Sequence, residues 1–236
     1  SINIMFLSFF KTAIRFLWRN KTYSILNFLC LTFGLTCSTL AFLHIRNVLS
    51  YDKFQENSDR LFLVEANITY FNGDRFPKEV MSASLKDILE NVPEIESVIR
   101  VVNDGNTFVY DSLSFNESGI YADSNFLKVF TFPLKSGNIG NALSEVNSIV
   151  VSEKMAEKFF GSGDCTGKSL VIKKDDRQEA YTITGVLKET ESPSYLRFDY
   201  IIPFSKFLSE NSWASETGAS ACQVWALLSA GTERQK

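Results

Sequence analysis

The sequence predicts an α+β protein held at a membrane: one N-terminal transmembrane helix followed by a mixed α/β extracytoplasmic domain. Three observations predict it. An uncharged stretch runs from Thr22 to Ile45, between Lys21 and Arg46. Charge is divided along the chain, with five bases and no acids in residues 1–46 and a net charge of −8 in the rest. Strand-like and helix-like segments then alternate irregularly, without the strict βα repeat of a parallel sheet.

The uncharged stretch comes first. Twenty-four residues as an α-helix extend about 36 Å, enough to cross a hydrocarbon core of about 30 Å with some tilt. Ile25, Leu26, Phe28, Leu29, Leu31, Phe33, Leu35, Leu40, Phe42, Leu43 and Ile45 supply its apolar surface. It is too long for the apolar core of a cleaved signal, and no small-residue cleavage pattern sits near Arg46. Lys11, Arg15, Arg19 and Lys21 precede it, so residues 1–21 are expected in the cytoplasm and residues 47–236 outside. Lys11, Arg15 and Arg19 share one helical face, with Leu7, Phe10, Ile14 and Leu17 opposite. That segment is expected to lie along an anionic leaflet. The organisation is therefore a cytoplasmic amphipathic segment (1–21), a transmembrane helix (22–46) and an extracytoplasmic domain (47–236).

Beyond the span, Tyr51 to Arg60 is polar and compatible with a helix. Leu61 to Ile68 reads as one strand, bounded by Asn72-Gly73. Glu79 to Val92 carries a Val80, Leu85, Ile88, Leu89 stripe and ends at Pro93, which predicts a helix. Ile95 to Val102 is strand-like. Phe108 to Tyr121 reads as short runs broken at Asp111-Ser112 and Ser118-Gly119. Asp123 or Ser124 is placed to cap a short helix through Phe130. Ser148 to Val151 is a strand, Ser152 caps a helix over Glu153 to Phe160, and Gly161 stops it. Leu170 to Ile172 and Tyr181 to Leu187 are strands around a Lys173 to Asp176 turn. A short helix at Phe204 to Glu210 and a strand at Gln223 to Leu228 follow.

Motifs for catalysis and cofactors are lacking. Gly161 to Ser169 superficially suits a phosphate loop, but the glycine spacing before Gly167-Lys168-Ser169 is wrong, and a helix precedes where a strand is needed. His44 is the only histidine and stands at the outer end of the span, so neither a zinc site nor a histidine-based nucleophile can be assembled. Catalytic, cofactor-binding and metal-binding residues are accordingly expected to be none, and nucleic acid is excluded as a partner by the acidic outer domain. Cys165 and Cys222 leave a disulfide open.

Four ordered blocks carry a resemblance: Lys11 to Lys21; Leu49 to Phe54 with Asp59 to Val64; Asn147 to Glu153 with Lys158 to Gly161 and Gly167 to Leu170; and Tyr181 to Leu187. The chain resembles the permease subunits of MacB/FtsX-type ABC transporters, of the kind found in Bacteroidetes. The resemblance implies a MacB-like periplasmic core with a porter-like lobe and an inserted β-rich lobe, and a place in the inner membrane. It also implies a separate ABC ATPase subunit, a second permease copy and a periplasmic adaptor or outer-membrane channel as partners, with the lipid bilayer around the span. ATP-driven motion inside would move the periplasmic domain outside in the service of efflux. Three further transmembrane helices are expected after Lys236, so the chain reads as truncated at its C-terminus. Cys165-Thr166 departs from the family, where a proline and an aliphatic residue usually stand. The rival reading is a single-pass sensor or ligand-binding ectodomain.

Overall fold

A computed structural model describes residues 11–12, 14–52, 54–69, 74–110, 113–174, 177–189, 194–216 and 218–232. It divides into two compact units at Tyr51 and Asp52.

In the first unit, helix α1 spans Lys21–Val48, with none of its residues buried. Its 28 residues extend about 42 Å. Residues 14–19 are helical too, and a turn at Asn20 separates them from α1. The Ser24 hydroxyl donates across that turn to the Leu17 carbonyl at 3.0 Å, and the Thr36 hydroxyl to the Thr32 carbonyl at 2.8 Å. The helix thus satisfies these hydroxyls internally, as a segment in lipid must. Leu7 and Phe10 of the expected amphipathic face lie outside the described residues.

The second unit is built on a ten-stranded mixed sheet. Its strands are β1 (Leu61–Leu63), β4 (Val80–Met81), β5 (Ile95–Tyr110), β6 (Leu113–Ala122), β7 (Leu134–Gly137), β8 (Ser148–Ser152), β9 (Ser169–Lys174), β10 (Arg177–Leu187), β11 (Tyr200–Pro203) and β12 (Cys222–Leu228). A separate hairpin joins β2 (Ala66–Thr69) to β3 (Arg75–Lys78). The main order is β1-β12-β5-β6-β11-β8-β10-β7, with β6·β11 and β8·β10 parallel. Strand β9 pairs with β10 on one side and the outer half of β5 on the other, so the pairing closes on itself through β6, β11 and β8.

Side chains alternate across a strand, and two cores follow from that period of two. Val98, Tyr121, Ile149, Val151, Ile183, Tyr200, Ile202 and Val224 belong to one core. Their neighbours Ile99, Val101, Ile120, Ala122, Val150, Ile201 and Leu227 belong to the other. Helices α4 (Glu153–Phe160) and α5 (Phe204–Glu210) cover the first face, and the short helix α3 (Phe126–Val129) covers the second. Burial on both faces explains why Ile149-Val150-Val151 is continuously apolar. Helix α4 forms as its sequence dictates: the Ser152 hydroxyl accepts from the Met155 amide at 3.1 Å, and Gly161 closes it at φ +70°.

Several expected elements differ. Residues 54–60 are mostly turns rather than a helix; the Asn57 and Arg60 side chains bond the distant Val129 and Leu228 carbonyls. Leu61 to Ile68 is two strands with different partners, β12 and β3, divided at Val64-Glu65. Within Glu79 to Val92 only Leu85–Leu89 is helical (α2), since β12 recruits Val80 and Met81 into the sheet. Ser118-Gly119 does not interrupt β6. A Cβ at Gly119 would lie 2.4 Å from the Tyr200 ring, so glycine is there to admit that ring. Neither Asp123 nor Ser124 caps α3; Asn125 occupies the cap position without a side-chain bond to the helix, its amide donating to the Ser97 hydroxyl at 2.7 Å instead. Cys165 and Cys222 are both free and buried. Of the expected turns, Asn72-Gly73, Asp111-Ser112 and Asp175-Asp176 lie outside the described residues, while Lys173 and Lys174, expected to begin the last of them, belong to β9, which pairs with β10. The Gly161 to Ser169 turn sits between α4 and β9, as expected. Despite Cys165-Thr166, it is pinned by Gly167 N–H to Ile183 C=O at 2.7 Å and Ile183 N–H to Lys168 C=O at 2.9 Å.

Candidate functional site: a polar junction and a tyrosine-lined cleft

Asp52 opens the second unit and holds a left-handed backbone, φ +53°. That conformation costs a non-glycine residue about 1–2 kcal/mol, although Asp tolerates it better than most. Its carboxylate gathers three donors: the Gln55 amide group at 2.7 Å, the Ser194 hydroxyl at 2.6 Å and the Tyr195 N–H at 3.1 Å. Hydrogen bonds to a charged acceptor contribute about 1.5–3 kcal/mol each, so together they exceed the strain.

The next residues continue the seam. Phe54 packs on Phe132 with ring centroids 5.1 Å apart. The Glu56 amide donates to the Thr131 hydroxyl at 3.1 Å, and the Asn57 side chain to the Val129 carbonyl at 2.8 Å. Arg60 donates to the Leu228 carbonyl and to Glu96, each at 2.7 Å, and to Asn57 at 2.9 Å. Asp52, Phe54, Glu56, Asn57 and Arg60 therefore reach the entry to β11, the α3–β7 connection and the end of β12. Thr131, at φ +50°, is the other non-glycine residue with positive φ among the described residues. Both strained positions serve this seam.

The second feature is a cleft of about 1070 Å³, whose lining includes Asn106, Tyr121, Glu179, Tyr181, Lys206 and Glu210. Lys206 comes from α5 and pairs with Glu179 on β10, and with Glu210 at 3.3 Å. Burial opposes its charge, but the hydrogen bond and charge of Glu179, then those of Glu210, prevail and raise the ammonium above its ordinary value. Tyr181 donates to Glu179 at 3.0 Å. Tyr200 donates to Asp104 at 2.9 Å and accepts from Asn106 at 2.9 Å. Burial first, and nearby carboxylates second, push the hydroxyls of Tyr121, Tyr181 and Tyr200 far up. The cleft wall therefore presents the neutral phenols of Tyr121 and Tyr181, the ion-paired Lys206 ammonium, and the carboxylates of Glu179 and Glu210, with Arg177 also in the lining.

Beside it, Asp123 receives the Arg100 guanidinium at 2.7 and 3.1 Å, the Arg100 amide at 2.8 Å and Lys86 at 3.2 Å. Arg100 also lies 4.2 Å over the Phe204 ring. This commitment of Asp123 is why it is not a helix cap.

Among the described residues, no group of three or more His, Cys, Asp or Glu could hold a metal. His44 lies on α1. Asp52, Asn57, Arg60 and Thr131 belong to no catalytic, cofactor or metal motif in the sequence. A signal was present in the density of polar residues directly after the span. The cleft had none, since Tyr121, Tyr181 and Lys206 are far apart in the chain.

The profile of the MacB-like periplasmic core domain matches residues 24–236. No curated protein sequence matches the chain. Among solved structures, a domain of a permease protein from Porphyromonas gingivalis is similar at 24% identity and a TM-score of 0.65, over 76% of this chain and 77% of that one. The periplasmic region of MacB from Actinobacillus actinomycetemcomitans is similar at 16% identity and a TM-score of 0.54, over 77% and 82%. The extracellular domain of the noncanonic ABC-type transporter YknZ from Gram-positive bacteria is similar at 18% and 0.51, over 72% and 83%. These likenesses agree on the fold. With an apolar N-terminal helix long enough to cross a membrane, a mixed sheet covered on both faces and a match over nearly its whole length, the chain belongs to the MacB-like periplasmic core domain family of ABC-type permeases.

Proposed function

We propose that the chain is the N-terminal portion of an ABC transporter permease subunit that couples a cytoplasmic ATPase to movements of a periplasmic domain. The observation that carries this reading is the polar junction: Asp52, Asn57 and Arg60, within twelve residues of the end of the membrane helix, are bonded to three separate places in the sheet domain. A floppy tether would lose a displacement of the helix, and a bonded one would deliver it. The basic flank before α1 supports a cytoplasmic N-terminus in the inner membrane, with residues 47–236 periplasmic, residues 22–46 spanning and residues 1–21 inside. The partners in this reading are a separate ATPase, a second permease copy and a periplasmic adaptor or outer-membrane channel.

The test is reconstitution of the full-length permease with its partner ATPase in lipid. The permease is expected to change the rate of ATP hydrolysis; an ATPase indifferent to it at every ratio overturns the reading. The cleft favours a second reading, a ligand-binding ectodomain on a single anchor. Nucleotide-independent binding of a periplasmic solute, with no ATPase effect, would select that one.

A further inference from the structure

We infer that the Asp52 carboxylate is the positioning group through which motion of the membrane helix reaches the middle of the sheet. The inference rests on the coupling function proposed above and assigns it to one side chain. Asp52 lies four residues beyond the end of α1, at the start of the folded domain, and its left-handed backbone turns the carboxylate onto Ser194 and Tyr195. The segment from Ser194 to Asp199 runs straight into β11. That strand is central: it is parallel to β6 and antiparallel to β8, and it carries the fully buried Tyr200. The Asp199 N–H is bonded to the Ser118 carbonyl at 2.6 Å, and the Ser152 N–H to the Asp199 carbonyl at 2.7 Å, so the segment cannot shift without both neighbouring strands. Asp52 thus grips a connection that leads to the sheet centre. Glu56, Asn57 and Arg60 hold the α3–β7 connection and the end of β12 instead. Backbone strain at a non-glycine residue persists only where the surroundings enforce it, and here they enforce an orientation of the carboxylate.

Hydrogen-exchange mass spectrometry on the full-length permease with its partner ATPase in lipid nanodiscs, with and without ATP, tests this. In the wild type, ATP is expected to alter exchange across residues 194–203. Asp52→Ala is expected to abolish that alteration while ATP hydrolysis continues, a separation that loss of stability alone would not produce. It should also speed exchange of the Tyr195 amide by on the order of tenfold without nucleotide, the equivalent of one hydrogen bond to a charged acceptor. Asp52→Gly keeps the left-handed turn and removes the carboxylate, and it should behave like Asp52→Ala. Asp52→Asn keeps the turn and one acceptor oxygen, and it should restore part of the response. Should Asp52→Ala fail to fold, Ser194→Ala removes one donor from the other side and repeats the test. A full ATP response in Asp52→Ala or Asp52→Gly overturns the role of the carboxylate and leaves the coupling function standing. A wild type with no ATP response anywhere in residues 52–232 overturns the coupling function itself.

Discussion

The two faces of the central sheet are built from the same strands, yet they hold different chemistry. One face is dry: Phe126 stacks against Phe130 and Phe132 at 4.6 and 5.6 Å, with Phe198 and Trp225 edge-on around them. The other buries Asn106, Asp123 and Lys206 among Tyr121, Tyr181, Tyr200 and Phe204. The junction joins the dry face, through Phe54 on Phe132 and through the Val129 and Thr131 backbone around it. The cleft belongs to the polar one. Close-packed aromatic rings resist deformation, which suits a rigid anchor. A hydrogen-bonded wall can exchange partners, which suits contact with solvent or solute.

Removing a ring from the dry face is the strongest way to break this contrast. Phe126 is fully buried, so Phe126→Ala is expected to cost about 3–5 kcal/mol, read as a lowered urea midpoint. On the polar face the comparable loss is a charge partner. Asp123→Ala leaves Arg100 and Lys86 without their shared carboxylate and should cost about 3 kcal/mol in the same measurement. An Asp123→Ala midpoint equal to the wild type would mean that the cluster is decoration.

Smaller changes sharpen the comparison. Gly119→Ala drives a methyl into the Tyr200 ring and is expected to cost about 1–3 kcal/mol; the same change at Gly163, with nothing within 4 Å, should cost far less. Tyr200→Phe keeps the ring and takes one donor from Asp104, for about 1–2 kcal/mol. Phe132→Leu on the dry face would instead loosen the Phe54 contact, raising amide exchange at Glu56.

A further test of the polar face concerns pH. Burial pushes the Cys222 thiol from an ordinary 9.0 up to about 12. The fold keeps it neutral, so its contribution is complete below pH 9 and is lost as pH rises toward 12. The urea midpoint of the wild type should fall more steeply over that window than that of Cys222→Ala. In the folded chain at pH 8, Cys222 should resist alkylation.

Much of this architecture is legible in local sequence. The Ser152 cap and Gly161 stop of α4, the bounds of α5, the core strand β8 and the long apolar helix all follow from a few adjacent residues. What escaped depends on partners far away. Leu61 to Ile68 looks like one strand, but β12 takes its first half and β3 its second. Val80 and Met81 look helical, but β12 holds them. Asp123 looks like a cap, but Arg100, 23 residues earlier, claims it. The junction was visible as a family block and invisible as a site, because its bonds reach residues more than 70 positions on.

By itself the sequence determined the membrane helix and its flanking charge, since transfer of an uncharged segment into lipid depends on composition alone. It also determined the capped helices and the doubly buried strand, whose signals are local. Only the tertiary structure decided where the polar side chains bond, because a hydrogen bond depends on distance in space and a linear chain does not encode it. The seam from Asp52 to Arg60 and the wall of the tyrosine cleft exist only once β5, β10, β11 and β12 have been brought together.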